Sequence, residues 1–401
     1  MATATLAAGE RFDAREERRE ARRRVLWTTA AVGFMALYPF VDRALGINRL
    51  GSWMQIFVFV ILAMGLNIVV GYAGLLDLGY AAFFAIGAYT NAFLTSPSSY
   101  FVREGWVPDW LQHFWPAMAL SWAVAAVFGV LLGAPTLRLR GDYLAIVTLG
   151  FGEIVPVFFL NATTVTGGTK GINPIGAPPA ISAFGGDIRF SATDQRNWYW
   201  LMLGVGLLTV FLVRRLHDSR LGRSWMAIRE DEIAAASMGI NLVRTKLWAF
   251  ALGASFSGFA GAVYAAAFQY VHPEQFRFSV SVMILAMVIL GGLGNIYGVI
   301  LGGLVIGSFD RILVEVLNEP FQRLVDLLNL PVLQDHNLAQ DRFLVFGLAL
   351  VLMMLLRPGG LVPNARRKAE MKPETEDERV LETQQLYDIR QRQEPAAGER
   401  A

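Results

Sequence analysis

The sequence predicts an all-α polytopic membrane protein of about ten transmembrane helices, some of them short or broken. Three observations lead there. The 401 residues are 54% hydrophobic and only 17% charged, whereas soluble domains carry about 25% charged residues. The apolar residues fall into stretches near the ~20 that a helix needs to cross a bilayer. The charges are gathered into a few basic clusters between those stretches, as the topology of a many-span chain requires. A net charge of +2 gives no argument for nucleic acid as a partner.

Apolar stretches at 25–41, 53–70, 72–95, 115–133, 143–160, 198–213, 247–268 and 342–356 each read as one span. Ser279–Phe309 is too long for one span and short for two. Charge settles the count, because Lys and Arg gather on the cytoplasmic side. The basic clusters are the N-terminal tail, "LRLRGD" at 137–142, an insert at 214–246 and the "RPGGLVPNARRK" stretch that begins the tail. Two crossings in 279–309, broken at "GGLGN" (Gly291–Asn295), bring the last cluster to the same side as the others. Both termini are then cytoplasmic, and the loops at 96–114, 161–197 and 310–341 are external. "GYAG" at 71–74 reads as another break at membrane depth, of the kind tolerated where protein buries it or it lines a cavity. Gly129/Gly133, Gly298/Gly302 and Gly303/Gly307 are small-residue pairs that fit close helix packing, or a moving gate. Similar glycine spacing in 71–91 and 291–307 hints at an internal repeat.

The chain therefore divides into a charged cytoplasmic segment at 1–24, a transmembrane domain at 25–363 with the insert at 214–246, and a polar tail at 364–401. The tail lacks the apolar content for a core. "REERREARRR" is unlike the short basic start of a signal peptide, so the first span is expected to be retained.

Catalytic chemistry finds no foothold. The absence of cysteine excludes disulfides, thiolate metal sites and a Cys nucleophile. His113, His217, His272 and His336 are too scattered for a metal site and read as surface or loop residues. "TGGTKG" at 166–171 lacks the spacing of a phosphate-binding loop. Asp77 and Glu153 are the main ionisable residues within spans, and such residues tend to face pathways or cavities. Asp77, near the inner end of its span, also suits a capping carboxylate. Glu153 lies in "TLGFGEIVP", where Gly150, Gly152 and Pro156 predict a distorted helix. A cavity and a structural hydrogen bond both fit it. An ion-coupled secondary transporter would use these acids, but neither has a basic partner in a span.

The insert Asp218–Lys246 is charged yet helical in pattern. Asp218 or Ser219 can cap a start. Leu221, Trp225 and Ile228 share one face, with Arg223, Arg229, Glu230 and Asp231 mostly off it. The Ala234–Ala236 run favours helix, Gly239 suits a left-handed stop, and Asn241 can cap the following span. The bland alternative is a solvated loop.

"REDEIAAASMGI" at 229–240 resembles the coupling-loop motif of permease subunits of bacterial ABC importers. Ala234, Ala235 and Gly239 keep its spacing, while Ile233 stands where the motif has Glu and Glu232 precedes it. "LRLRGDYLAIVTLGFGEI" at 137–154, "TGGTKGI" at 166–172, "FSGFAGAVYAA" at 256–266 and "ILGGLGNIYG" at 289–298 extend the likeness. Over about residues 55–365 the chain resembles branched-chain amino acid permeases of the LivM type. The resemblance implies a transport permease of the bacterial inner membrane, not an enzyme. It implies a homologous second permease, two cytoplasmic ABC ATPases that carry the ATP and Mg, and a periplasmic protein delivering Leu, Ile or Val. Membrane lipid surrounds the assembly, and this chain holds no cofactor of its own. Relatives that carry urea, short amides or other amino acids leave the substrate open. The insert becomes a cytoplasmic coupling helix in which Leu221, Trp225, Ile228, Arg229, Glu230, Asp231, Glu232, Ala234, Ala235 and Gly239 engage an ATPase. Trp225 and Ile228 are expected against that partner, and the acids against its basic rim.

Overall fold

The computed structural model describes residues 33–314 apart from 47, 138, 140, 184–185 and 192–194, a few positions up to 323, and 342–362 apart from 358. The charged segment 1–24, the start of the first span, most of the 310–341 loop, His336 and the tail at 364–401 lie outside the described residues.

Ten apolar helices stand where the ten spans are expected. They are α1 at 33–45, α2 at Leu50–Leu66, α3 at Tyr80–Thr95, α4 at Phe114–Thr136, α5 at Asp142–Asn161 and α6 at Gln195–His217. The insert forms α7 at Arg220–Glu230 and α8 at Glu232–Ser237. Then come α9 at Leu242–Phe268, α10 at Phe278–Gly291, α11 at Ile296–Ser308 and α12 at Arg342–Leu356. Seven helical segments among the described residues are long and apolar enough to cross a membrane. α3, with 16 residues, and α12, with 15, are shorter. The chain is thus an all-α, multi-pass membrane protein. A two-stranded hairpin in the 161–197 loop, pairing Ile181 with Ile188, is the one sheet among the described residues.

α2 and α9 form the centre. Burial covers 89% of the α2 window and 83% of the α9 window, against 28% for α4 and 33% for α6. A helix that is apolar all round belongs inside, and α2 reads "SWMQIFVFVILAMGL". α9 instead achieves its central place with small residues. It packs against α4, α3 and α2. A Cβ on Gly258 would fall 2.3 Å from the Ala125 Cβ of α4, and one on Gly87 of α3 would fall 2.2 Å from the Gly258 carbonyl. Close backbone approach replaces the hydrophobic drive that lipid cannot supply. The three expected small-residue pairs all lie at helix contacts. Gly129 and Gly133 meet α9, Gly298 and Gly302 meet α10, and Gly303 and Gly307 meet α2.

Candidate coupling site and membrane cavities

Side-chain caps build the insert. The Ser219 hydroxyl accepts from the Gly222 amide at 3.2 Å and starts α7. One helix is expected from Leu221 to Met238, but α7 stops at Glu230. Asp231 takes an extended backbone, and its carboxylate accepts from the Ile233 and Ala234 amides at 2.7 and 3.0 Å. A capping Asp wins over the helix preference of the Ala run, because it satisfies amides that a helix start leaves orphaned. Gly239 ends α8 at φ +84°, in the left-handed region that favours glycine. Asn241 Oδ1 then accepts from the Arg244 amide at 3.0 Å and starts α9.

The apolar stripe of α7 faces inward, which corrects the expected contacts. Trp225 is fully buried, its Nε1–H donating to the Thr245 carbonyl at 2.7 Å, and Ile228 is buried beside it. Leu221 is half-buried. α7 packs on α6, on α9 and on the end of α2, so its stripe covers this chain and not a partner. Periodicity identifies the shared face but not what covers it. The acids are also engaged at home. Asp231 caps α8, and Glu232 pairs with the nearly buried Lys246 at 2.5 Å. Glu230 is exposed. Of the alanines, Ala234 is exposed and Ala235 buried. What projects into water is Ile233, 81% exposed, and Met238, 84% exposed. Sequence reasoning missed this pair because neither lies on the α7 stripe.

Arg229 points the other way, into the membrane domain. Its guanidinium donates to the Gly71 carbonyl, and a Cβ on Gly74 would fall 2.9 Å from its Cγ. Gly71 belongs to a π-helical turn, Asn67–Tyr72, that continues α2. The chain then runs non-helical through 73–79 before α3, so the expected break is present. The second break falls after Gly291, also as expected, with Gly292 and Gly294 at φ +117° and +81°. The two breaks meet. Asn67 is wholly buried, and its Oδ1 accepts from the Gly294 amide at 2.9 Å. The "LV" of the "RPGGLVP" stretch closes over the second break. Leu361 and Val362 amides donate to the Leu290 and Gly291 carbonyls, and Asn295 Nδ2 donates to the Val362 carbonyl at 3.0 Å. A lone Asn within "MGLNIVVGYAG" was the one sequence signal for Asn67.

Asp77 lies inside the first break, only 1% exposed, with Oδ1 accepting from the Gly79 amide at 2.9 Å. Beside it the Leu78 amide donates to the Thr148 hydroxyl of α5. The α5 helix continues through Pro156 without a break. Gly152 serves contact: a Cβ there would fall 2.9 Å from the Gly79 Cα.

Two cavities flank α10. One, of about 400 Å³, is lined by Glu153, Pro156, Leu160, Glu274, Arg277 and Ser279 among others. The second, of about 340 Å³, is lined by Gln55, Phe59, Phe84, Glu274, Asp310 and Arg311 among others. Glu274 and Ser279 belong to both. Glu153 is exposed to the first, whereas Asp77 lines neither. Glu274 pairs with Arg277, and Arg311 Nε stands 2.8 Å from Asp310 Oδ2. Sequence reasoning placed Glu274 and Asp310 in loops and overlooked them.

A sequence profile of the branched-chain amino acid transport system permease component matches residues 48–333. The high-affinity branched-chain amino acid transport system permease protein LivM of Salmonella typhimurium is 40% identical over 332 residues, 79% of this chain and 70% of the relative. LivM of Escherichia coli K12 gives the same identity and the same coverage. LivH of Escherichia coli K12 is 22% identical over 277 residues, 67% of this chain and 85% of the relative. No solved structure gives a significant match. With a profile match across most of its length and relatives 40% identical over 70% of their own length, the chain belongs to the permease component family of branched-chain amino acid transport systems.

Proposed function

We propose that the chain is the membrane-spanning permease of an ABC importer in the bacterial inner membrane, forming with a sister permease the path for leucine, isoleucine and valine. Cytoplasmic ABC ATPases, which hold the ATP and Mg, drive it, and a periplasmic binding protein delivers the amino acid. The observation that carries this reading is the LivM likeness over 79% of the chain. The more distant LivH likeness supports a related second permease, since LivH is named as a component of the same transport system. The insert supports the coupling role by its shape. It is a capped double helix with exposed Ile233 and Met238 at its far end and Arg229 on the α2 break at its near end. These two exposed apolar side chains are the candidate anchors for a partner, since interface energy concentrates in a few residues.

The test is uptake of labelled leucine into vesicles holding the assembled complex and its binding protein. ATP-dependent, vanadate-sensitive uptake is expected. Uptake driven by an ion gradient with no nucleotide overturns the proposal.

A further inference from the structure

We propose that the cavity between α2, α3, α9, α10 and α11 takes a zwitterionic amino acid, its ammonium at Asp310 and Glu274, its carboxylate at Arg311 and its side chain on the aromatic wall. The inference rests on the importer reading and names the part of the path that would recognise the substrate's charged end.

The cavity has the size and the mixed lining of a small-molecule site. Its volume is about 340 Å³, within the ~300–1,000 Å³ range of ligand pockets. One wall is apolar, with Phe59, Phe84, Tyr264 and Met283. The lining also carries both signs of charge. The Asp310 side chain is 2% exposed, and the Arg311 side chain 33%. Both belong to a π-helical turn, Phe309–Leu313, that continues α11. Single π turns inside helices occur often at functional sites, since they turn side chains that a regular helix would aim elsewhere. Here the turn brings an acid and a base onto one cavity, with the Arg311 guanidinium over the Phe59 ring at 5.6 Å.

Stability alone gives a poor account of this pair. A buried ion pair is often no better than apolar residues of like volume, and apolar residues fill the rest of α11, "IYGVILGGLVIGS". Charged residues at membrane depth mark pathways by default. The chemistry is also selective. A neutral solute such as urea has no use for two opposite charges, whereas an α-amino acid with an aliphatic side chain matches both the charged wall and the apolar one. Glu274 lines this cavity and the one beneath Glu153. An ammonium group leaving Asp310 would therefore find further carboxylates, Glu274 and Glu153, in the two adjoining cavities.

The experiment uses the assembled complex of both permeases and the ATPases in nanodiscs, without binding protein, and radiolabelled leucine. Saturable binding is expected, displaced by leucine, and on the order of tenfold more weakly by leucinol or 4-methylpentanoate, which each lack one charge. Arg311→Gln should weaken leucine by roughly tenfold while leaving leucinol unchanged, a split that a merely structural role does not produce. Asp310→Asn should weaken leucine likewise, with recovery in Asp310→Glu. If Asp310→Asn fails to assemble, Glu274→Gln, on a half-exposed side chain, decides for the carboxylate half. Unchanged leucine affinity in these variants, or displacement by either analogue as strong as by leucine itself, overturns the site. So does an absence of saturable binding in a complex that takes up leucine with ATP. Saturable, charge-selective binding in a complex whose uptake ignores ATP keeps the site and retires the importer reading.

Discussion

Trp225 and Ile233 divide the insert between them. The indole is sealed inside the chain and hydrogen-bonded to Thr245, while Ile233 stands in water eight residues on. Their substitutions should therefore fail differently. Trp225→Ala removes a buried ring at the join of α7 and α9, and losses of this kind cost about 3–5 kcal/mol. Lower membrane levels of the permease are expected, and the protein that remains should melt earlier. Ile233→Asp leaves every internal contact in place and should leave permease levels unchanged, but co-purification of the ATPases should fall several-fold. Equal ATPase capture by Ile233→Asp and the parent chain would show that the α8 end is not the docking surface. The sequence made Trp225 conspicuous and gave its helix face, but not the side that covers it. Glu153 was legible as an acid in a span, and the structure sets it on a cavity. Asp310 was not, because a π turn is invisible to a 3.6-residue period.

At the level of elements, glycine clusters made both breaks readable, since they interrupt runs that are otherwise apolar. The division of α7 from α8 was hidden, because Asp231 looks like one more charge on a helix until its carboxylate is seen capping. Also hidden was the tie between insert and membrane. Arg229 holds Gly71, Gly71 lies in the turn that begins at Asn67, and Asn67 holds Gly294. This makes the insert and both breaks one connected unit. Arg229→Gln should leave ATPase co-purification intact, because the exposed end of α8 is untouched. Uptake should fall by roughly tenfold, in line with the ~1.5–3 kcal/mol of a hydrogen bond to a charged group. Uptake at the parent rate would mean that motion of the insert reaches the membrane by another route.

For the whole molecule, the ten helices among the described residues and their order were legible because most are apolar runs bounded by charge, and the remaining boundaries fall at the glycine breaks. The centre was only half legible: α2 is apolar all round, but α9, 83% buried, has a mean hydropathy of 1.4, below the 2.1 of α4, which exposes apolar faces. The proposed orientation rests on basic residues alone and can be tested directly, since the chain has no cysteine. Glu104→Cys, at an exposed loop position, should react with an impermeant maleimide on intact cells. Ile233→Cys should react only after the membrane is opened. The opposite pattern would invert the topology.

The hydrogen bond from Gly294 to Asn67 joins residues 227 positions apart, and that separation has a temporal side. Ribosomes add about 5–20 residues per second, so roughly 10–45 s pass between the synthesis of the two partners. Throughout that interval the Asn67 amide sits in a newly inserted span without its native partner, where a polar group in hydrocarbon is costly. The α10–α11 hairpin arrives late, docks its glycine break on that amide, and is then fastened by residues 361–362, which emerge later still. Biogenesis therefore has a vulnerable middle. A half-made chain already holds most of its spans but not the piece that bonds the buried Asn67 side-chain oxygen, and it is at this stage that quality-control proteases and insertion chaperones would find their substrate.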